Sequence, residues 1–375
     1  MKERLGAKRY AAPLAAIIIV ACVFSLAFYP MTHLEPKGLP FGVLSLDEGL
    51  TTPAGTVNAG ETMVENMTSL GGDGSTVSWE RFDSQSELDE ALETSALYGA
   101  VIVPTDFTAS SAAAQAGSGE ASALKIVIDN AKSPVVANLM QTNLPALFEQ
   151  LGVRSEVEVV NQGAGAEGAN ALGAMMSQQI AVMPTVMLSV VIAAMIALVV
   201  APFAGKRGRE RWQVAGLQAT LAVVFSLAVA VAIWLMVVGV AGIETDAEAI
   251  LFLWIASFGL MFVLVGAFDA HVGLGALVAV CVFSFGMACG VMPLEMLPAF
   301  WQDWVFPWAP QRFIGEGMRA ILYRGAGAWN ASCPPLLAFA AAGAALVCIA
   351  AVLPGKTRRE APSETAPAVD EGEHR

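Results

Sequence analysis

Charge is scarce in this 375-residue chain: Asp, Glu, Lys and Arg together make up 14%, against 56% hydrophobic residues. Soluble domains carry about a quarter charged residues, so a chain this poor in charge, with a mean hydropathy of +0.61, belongs in a bilayer. Histidine is scarcer still, and His33, His271 and His374 fall in separate segments that assemble no metal cluster. Cysteine is limited to Cys22, Cys281, Cys289, Cys333 and Cys348. Only Cys333 falls clearly in an outer segment, which excludes a disulfide framework. Ionisable side chains are missing from the middle of every long apolar run, where proton- or sodium-coupled carriers usually need one. Asp269 and His271 stand only at the cytoplasmic end of a run, where anchoring or helix capping explains them. A transporter built this way takes its energy from another chain.

A phosphate cradle is missing too. Gly355, Lys356 and Thr357 imitate the end of a Walker A loop, but Ala350 occupies the first glycine position and an apolar run precedes it. Gly163, Gly165 and Gly168 spell GxGxxG after a strand-like stretch, yet no βαβ unit follows, so they read as linker. Ser122 and Lys125 form an SxxK without companion motifs. No catalytic constellation, cofactor site or metal site is expected.

What the chain does have is six stretches free of Asp, Glu, Lys and Arg, each with enough apolar residues for one crossing. They predict spans at 11–29, 181–202, 215–240, 249–268, 273–292 and 335–353. Lys2, Arg4, Lys8 and Arg9 precede the first, Lys206, Arg207, Arg209 and Arg211 follow the second, and Lys356, Arg358 and Arg359 follow the sixth. The positive-inside rule places all three clusters in the cytoplasm and leaves residues 31–179 outside. That segment holds 19 acidic and 5 basic residues, a balance of −14, so the net charge of −13 is mainly its property. Nucleic acid is excluded as a partner. A cleaved signal is the rival reading of the first span, because Ser25 and Ala27 offer a small-x-small site; Phe28 and Tyr29 favour a retained anchor.

Within the outer segment, strands are predicted at 41–46, 76–82, 98–103 and 124–129, and helices at 57–70, from Ser84, and at 133–152. Glu87 supplies the capping-box partner of Ser84. Residues 109–123 and 162–173 are rich in small residues and read as loop or linker. The expected architecture is a polytopic α-helical membrane protein of six transmembrane helices, with an extracytoplasmic α/β domain inserted between helices 1 and 2. Its parts are a cytoplasmic N-terminus (1–9), helix 1 (10–30), the α/β domain with its linker (31–179), a five-helix bundle (180–354) and a disordered tail (355–375).

Between the last two spans, residues 293–332 form an outer re-entrant or interfacial segment carrying Trp301, Trp304, Phe306 and Trp308. After Pro310, Arg312, Glu316, Arg319 and Tyr323 fall at i, i+4, i+7 and i+11, one face of a helix. That face serves as the polar wall of a path or as a helix-stabilising charge pattern. Gly286 and Gly290 make a GxxxG, and Ala340 to Ala345 a run of small residues; both suit close helix packing, within the bundle or between subunits.

The strings FGVLSLDEG (41–49), VENMTSL (64–70), YGAVIVPTDFTAS (98–110) and MPLEMLPAFWQDWVFPWAPQRFIGEGMRAILYRGAG (292–327) resemble the YhgE/Pip (phage infection protein) family, allied to ABC-2 type permeases. The resemblance covers about 10 to 354. It implies a permease subunit exporting an amphipathic or envelope-related molecule, with a separate cytoplasmic ATPase, as a homodimer or heterodimer in the lipid bilayer. It equally implies the alternative of a non-transporting envelope surface protein, or phage receptor, acting through the outer domain.

Overall fold

The computed structural model describes residues 2–352 apart from 54, 73 and 163–170. The GxGxxG glycines and the segment from 353 onward lie outside the described residues. In chain order the elements are α1 (Lys2–Thr32), β1 (Leu39–Ser45), β2 (Leu50–Thr52), β3 (Gly55–Val57), α2 (Ala59–Leu70), β4 (Val77–Arg81), α3 (Gln85–Glu93), β5 (Gly99–Val103), α4 (Phe107–Gln115), β6 (Leu124–Asp129), α5 (Pro134–Gln150) and β7 (Ser155–Val160). There follow α6 (Ala171–Met195) with a π-helical turn (Ile196–Val200), α7 (Arg209–Gly239), α8 (Ala247–Ala270), α9 (Val272–Gly286), α10 (Ala299–Trp304), α11 (Pro310–Arg324) and α12 (Cys333–Val352).

The strands form one sheet in the order β4-β1-β5-β6-β7, with β1 parallel to β4 and β5, β6 antiparallel to β5, and β7 parallel to β6. Alternation along each strand sends Phe41, Val43, Val101, Val103, Ile126 and Ile128 to one face, under α2 and α5. Leu44, Ala100, Ile102 and Val127 go to the other, under Leu88 and Leu92 of α3. Both faces of the central strands are covered, which is why β5 reads as an unbroken apolar run. Ser84 accepts from the Glu87 amide at 3.2 Å and starts α3 as expected.

Residues 109–123 differ from expectation. α4 occupies their first half, because Ala112 to Ala114 are strong helix formers and Phe107 anchors the helix in the core; the loop begins only near Gly117, with φ +72°. The β2–β3 hairpin was not expected either.

At the carboxyl ends of β1 and β5, where the chain reverses direction across the sheet, the structure places Asp47. In open α/β sheets this crevice is the usual ligand site. Here the protein's own carboxylate fills it, accepting from the amides of Gly49 (3.3 Å), Gly60 (3.0 Å) and Thr108 (3.1 Å) and from the Thr108 hydroxyl. Asp47 thus takes the anion position at the N-termini of α2 and α4.

Among the described residues, four helical stretches are long and apolar enough to cross a membrane: Gln179–Val200, Arg209–Gly239, Ala247–Ala270 and Cys333–Val352. The first expected span lies within α1 (Lys2–Thr32), whose described apolar stretch is Ile17–Thr32, and the fifth is represented by the shorter Val272–Gly286. The fifth stops short because Gly286, Gly290 and Pro293 break it into tight turns. α8 is the centre of the bundle: 67% of its apolar window is buried, against 33% in α7 and in α12. α12 lies so close to α8 that a Cβ at Gly259 would come within 2.2 Å of the Leu336 carbonyl oxygen, and one at Gly343 within 2.4 Å of the Phe262 carbonyl. The small residues near 340–345 are therefore used within the chain.

Burial alone would raise the Asp47 carboxyl, but its hydrogen bonds from Thr108, Gly60 and Gly49 outweigh that and hold it below the usual carboxylate range. A carboxyl lowered on folding contributes stability above its unfolded value of about 3.9, and that contribution is lost as pH falls through its folded value. Asp47→Asn is expected to cost about 1–3 kcal/mol at pH 7, with the difference from the parent shrinking below about pH 4. Thermal unfolding in detergent across that range checks this, and a difference independent of pH would contradict it.

Candidate functional site

The sheet layer meets the bundle along a seam made by the chain entering β1 and the segment between α9 and α12. Lys37 N–H donates to the Glu295 carbonyl at 3.1 Å, and Met296 inserts into the core beneath the sheet. The Tyr98 hydroxyl, just before β5, donates to Glu295 Oε2 at 2.7 Å. Arg324, the last residue of α11, donates to Asp129 Oδ2 at 2.6 Å and to the Leu92 carbonyl at 3.2 Å, and also reaches the Glu93 carbonyl. Asp129 ends β6 and its side chain is fully buried.

α11 owes its position to its sequence. Pro310 opens it without losing a hydrogen bond. Gly325 closes it in the left-handed region at φ +62°, with its amide on Ile321 and that of Ala326 on Ala320. Its apolar face, with Ile314, Met318 and Ile321, packs into the bundle core. Gly286 and Gly290 face its first turn: a Cβ at Gly286 would overlap Gln311, whose Nε2 donates to the Val282 carbonyl at 2.7 Å, and one at Gly290 would meet Val182 of α6. The GxxxG lets α9, α6 and α11 converge within one chain.

A cavity of about 470 Å³ lies at this seam. Tyr98 and Lys132 come to it from the sheet layer, Glu295 from the turn after α9, and Glu316, Arg319 and Arg324 from α11; Cys289, Met292, Leu294 and Phe306 supply apolar wall. Lys132 Nζ sits 4.0 Å above the Tyr98 ring and donates to the Ala96 carbonyl at 2.6 Å. Burial pulls the Lys132 ammonium below its ordinary value, against the pull of Glu295 and Asp129. Burial and the neighbouring Glu295 carboxylate push the Tyr98 phenol above its ordinary range, so it remains a donor.

Of the four residues expected on one polar face, the structure brings Glu316 and Arg319 to this cavity. Arg312 stands one turn back, with Nε 2.8 Å from Glu316 Oε1 and its guanidinium 4.3 Å from the Phe306 ring centre. Tyr323 turns instead to a groove beside Glu244, Asp246 and Glu248. Trp301 and Phe306 point inward, whereas Trp304 is 70% exposed. Sequence reasoning missed Tyr98, Asp129, Lys132, Glu295 and Arg324. Two signals were present: a lone carboxylate ending the apolar strand LKIVID, and Arg324 lying off the helical pattern of its neighbours.

At the opposite end of the bundle, Gln218 Nε2 donates to the Ala201 carbonyl at 2.8 Å and to Asp269 Oδ1 at 3.0 Å. His271 Nδ1 caps α9 by accepting from Gly273 at 3.0 Å. Ser122 and Lys125 are engaged separately, with Asp106 and Glu158, and form no catalytic pair.

Long apolar helices around a buried central one, carrying a mixed α/β layer, define a polytopic membrane protein. The sequence profile of the family described as ABC-2 family transporter protein matches residues 12–352, and the chain belongs to that family. Nothing matches among curated proteins, nor among solved structures.

Proposed function

We propose that this chain is the permease subunit of an ABC-2-type exporter that moves an amphipathic or envelope-related molecule across the cytoplasmic membrane, and that its finer kinship is with the YhgE/Pip branch. The observation that carries the reading is the seam cavity, which lies between the bundle and the sheet layer and is bordered by both. In this reading the bundle crosses six times, both termini are cytoplasmic and residues 31–179 are extracytoplasmic. A helix of 15 residues such as α9 rises about 22 Å, against a hydrocarbon core of about 30 Å. Its outer end would therefore stop below the surface, and the cavity beyond Cys289 and Met292 would open at the outer mouth of the path, with Glu316 and Arg319 on its wall, Arg312 one turn back and Tyr323 in the neighbouring groove.

The surface-receptor alternative needs a ligand site on the free end of the sheet layer. The crevice there is filled by Asp47, which favours the seam. Energy comes from a separate cytoplasmic ATPase, and the working unit is a dimer with a second copy or a related chain; neither proposal rests on a contact within this chain.

Two measurements test the reading. In a cysteine-free background, cysteines at Ser86 and Glu244, both exposed, are expected to react with an impermeant thiol reagent on intact cells, and one at Ala204 is not. Labelling at position 204 would overturn the orientation. Extraction of the tagged chain from its native membrane in mild detergent is expected to bring down an ATP-hydrolysing subunit at fixed stoichiometry. A chain that purifies alone, and moves substrate on a proton gradient alone, would contradict energy supplied in trans.

A further inference from the structure

Among the described residues, every charged group lining the seam cavity but one has a hydrogen-bonding partner. Arg324 is held by Asp129 and Glu316 by Arg312. Glu295 accepts from Tyr98, and Lys132 donates to the Ala96 carbonyl. Arg319, part-buried on α11, has neither a hydrogen bond nor an ion pair among the described residues, although it carries five donors; the opposite charge that acts on it most, Glu316, is already paired with Arg312. The lining brings three cations, Lys132, Arg319 and Arg324, against two carboxylates, Glu295 and Glu316, and leaves one positive charge. Adding the ion-pair partners Asp129 and Arg312 does not change that balance.

A guanidinium withdrawn from bulk water that shares its nearest carboxylate with another arginine is under-compensated, and its planar fork matches a phosphate oxyanion in two parallel hydrogen bonds. The Tyr98 hydroxyl is committed to Glu295, so Arg319 is the free donor set, with Lys132 contributing charge from the facing wall. About 470 Å³ holds a polar headgroup and excludes a pair of acyl chains, for which the apolar side formed by Met292, Leu294 and Phe306 is the natural exit. We infer that the seam cavity binds a single phosphate-bearing anion through Arg319, with Lys132 as the second cation. This rests on the permease reading only for its meaning as a substrate subsite; the binding itself does not.

The test is calorimetric titration of the purified full chain in uncharged detergent with three probes: dihexanoyl phosphatidylglycerol, dihexanoyl phosphatidylcholine and inorganic phosphate. Saturable binding of the phosphatidylglycerol probe near one per chain is expected, with the zwitterionic probe weaker. Binding of phosphatidylglycerol without phosphate assigns the lipid headgroup as the source, and comparable binding of phosphate assigns a free anion; both support the shared chemistry. Arg319→Gln is expected to weaken binding about ten- to hundredfold, the value of one charge-assisted contact, and Arg319→Lys to restore part of it.

Glu295→Gln gives a readout of opposite sign that does not depend on the fold of the arginine variants. It keeps an acceptor for Tyr98, removes a negative charge and is expected to tighten anion binding. No saturable binding to the parent, or binding that is indifferent to both Arg319→Gln and Glu295→Gln, would overturn the inference. If that happened while an ATPase still co-purified, the permease reading would stand without it; anion binding by a chain that purifies alone would do the reverse.

Discussion

The ion pair between Asp129 and Arg324 fixes the relation between the two halves of the molecule. The Asp129 carboxylate has no exposed side-chain surface, and a charge in such a place costs several kcal/mol unless it is paired and hydrogen-bonded. It is satisfied from three directions: the Ala131 amide at 2.9 Å, the Asn161 amide group at 3.0 Å and the Arg324 guanidinium at 2.6 Å. Only the last comes from beyond the sheet layer. The end of β6 is therefore complete only with the end of α11 in place, and the Leu92 and Glu93 carbonyls receive the remaining donors of the same arginine. The seam cavity is the space this docking leaves between Tyr98, Glu295 and the polar side of α11.

α11 also ties that seam to the bundle centre. Gly317 sits directly on Phe252 of α8, where a Cβ would come within 2.1 Å of the ring, and a Cβ at Gly315 would come within 2.5 Å of the Gly290 carbonyl oxygen. Both contacts are too close for a larger residue without displacement. One short helix thus contacts the central span, the turn after α9 and the sheet layer. Any change in the bundle that moves α8 relative to α9 must shift Glu316 and Arg319 against Tyr98 and Lys132, since interiors this close-packed transmit displacement. That is a physical route from helices to cavity.

Much of this was legible in the sequence because it is carried by short-range periodicity. The charge-free runs locate the four long apolar helices among the described residues, and the alternation within residues 31–179 locates β1, β4, β5 and β6 to within two residues. Residues 109–115 were misread because alanine serves helix and low-complexity linker alike, and only the burial of Phe107 decides between them. The polar face of α11 was visible as a spacing. Its division was not: Glu316 and Arg319 face the cavity while Tyr323 faces another groove, because the choice depends on where the sheet layer docks. The docking depends in turn on Asp129, 195 positions from its partner in the chain, and no local pattern relates residues that far apart.

The central claim is that Asp129 and Arg324 act as one unit holding the sheet layer to the bundle, and a double-mutant cycle measures it most directly. Asp129→Asn and Arg324→Gln, singly and together, would be compared by reversible unfolding of the purified chain in one detergent. Each single change is expected to cost about 3 kcal/mol, and the pair less than the sum by about 1 kcal/mol or more. Costs that add to within about 0.5 kcal/mol would mean that the two side chains are not coupled, and that something else joins the two halves.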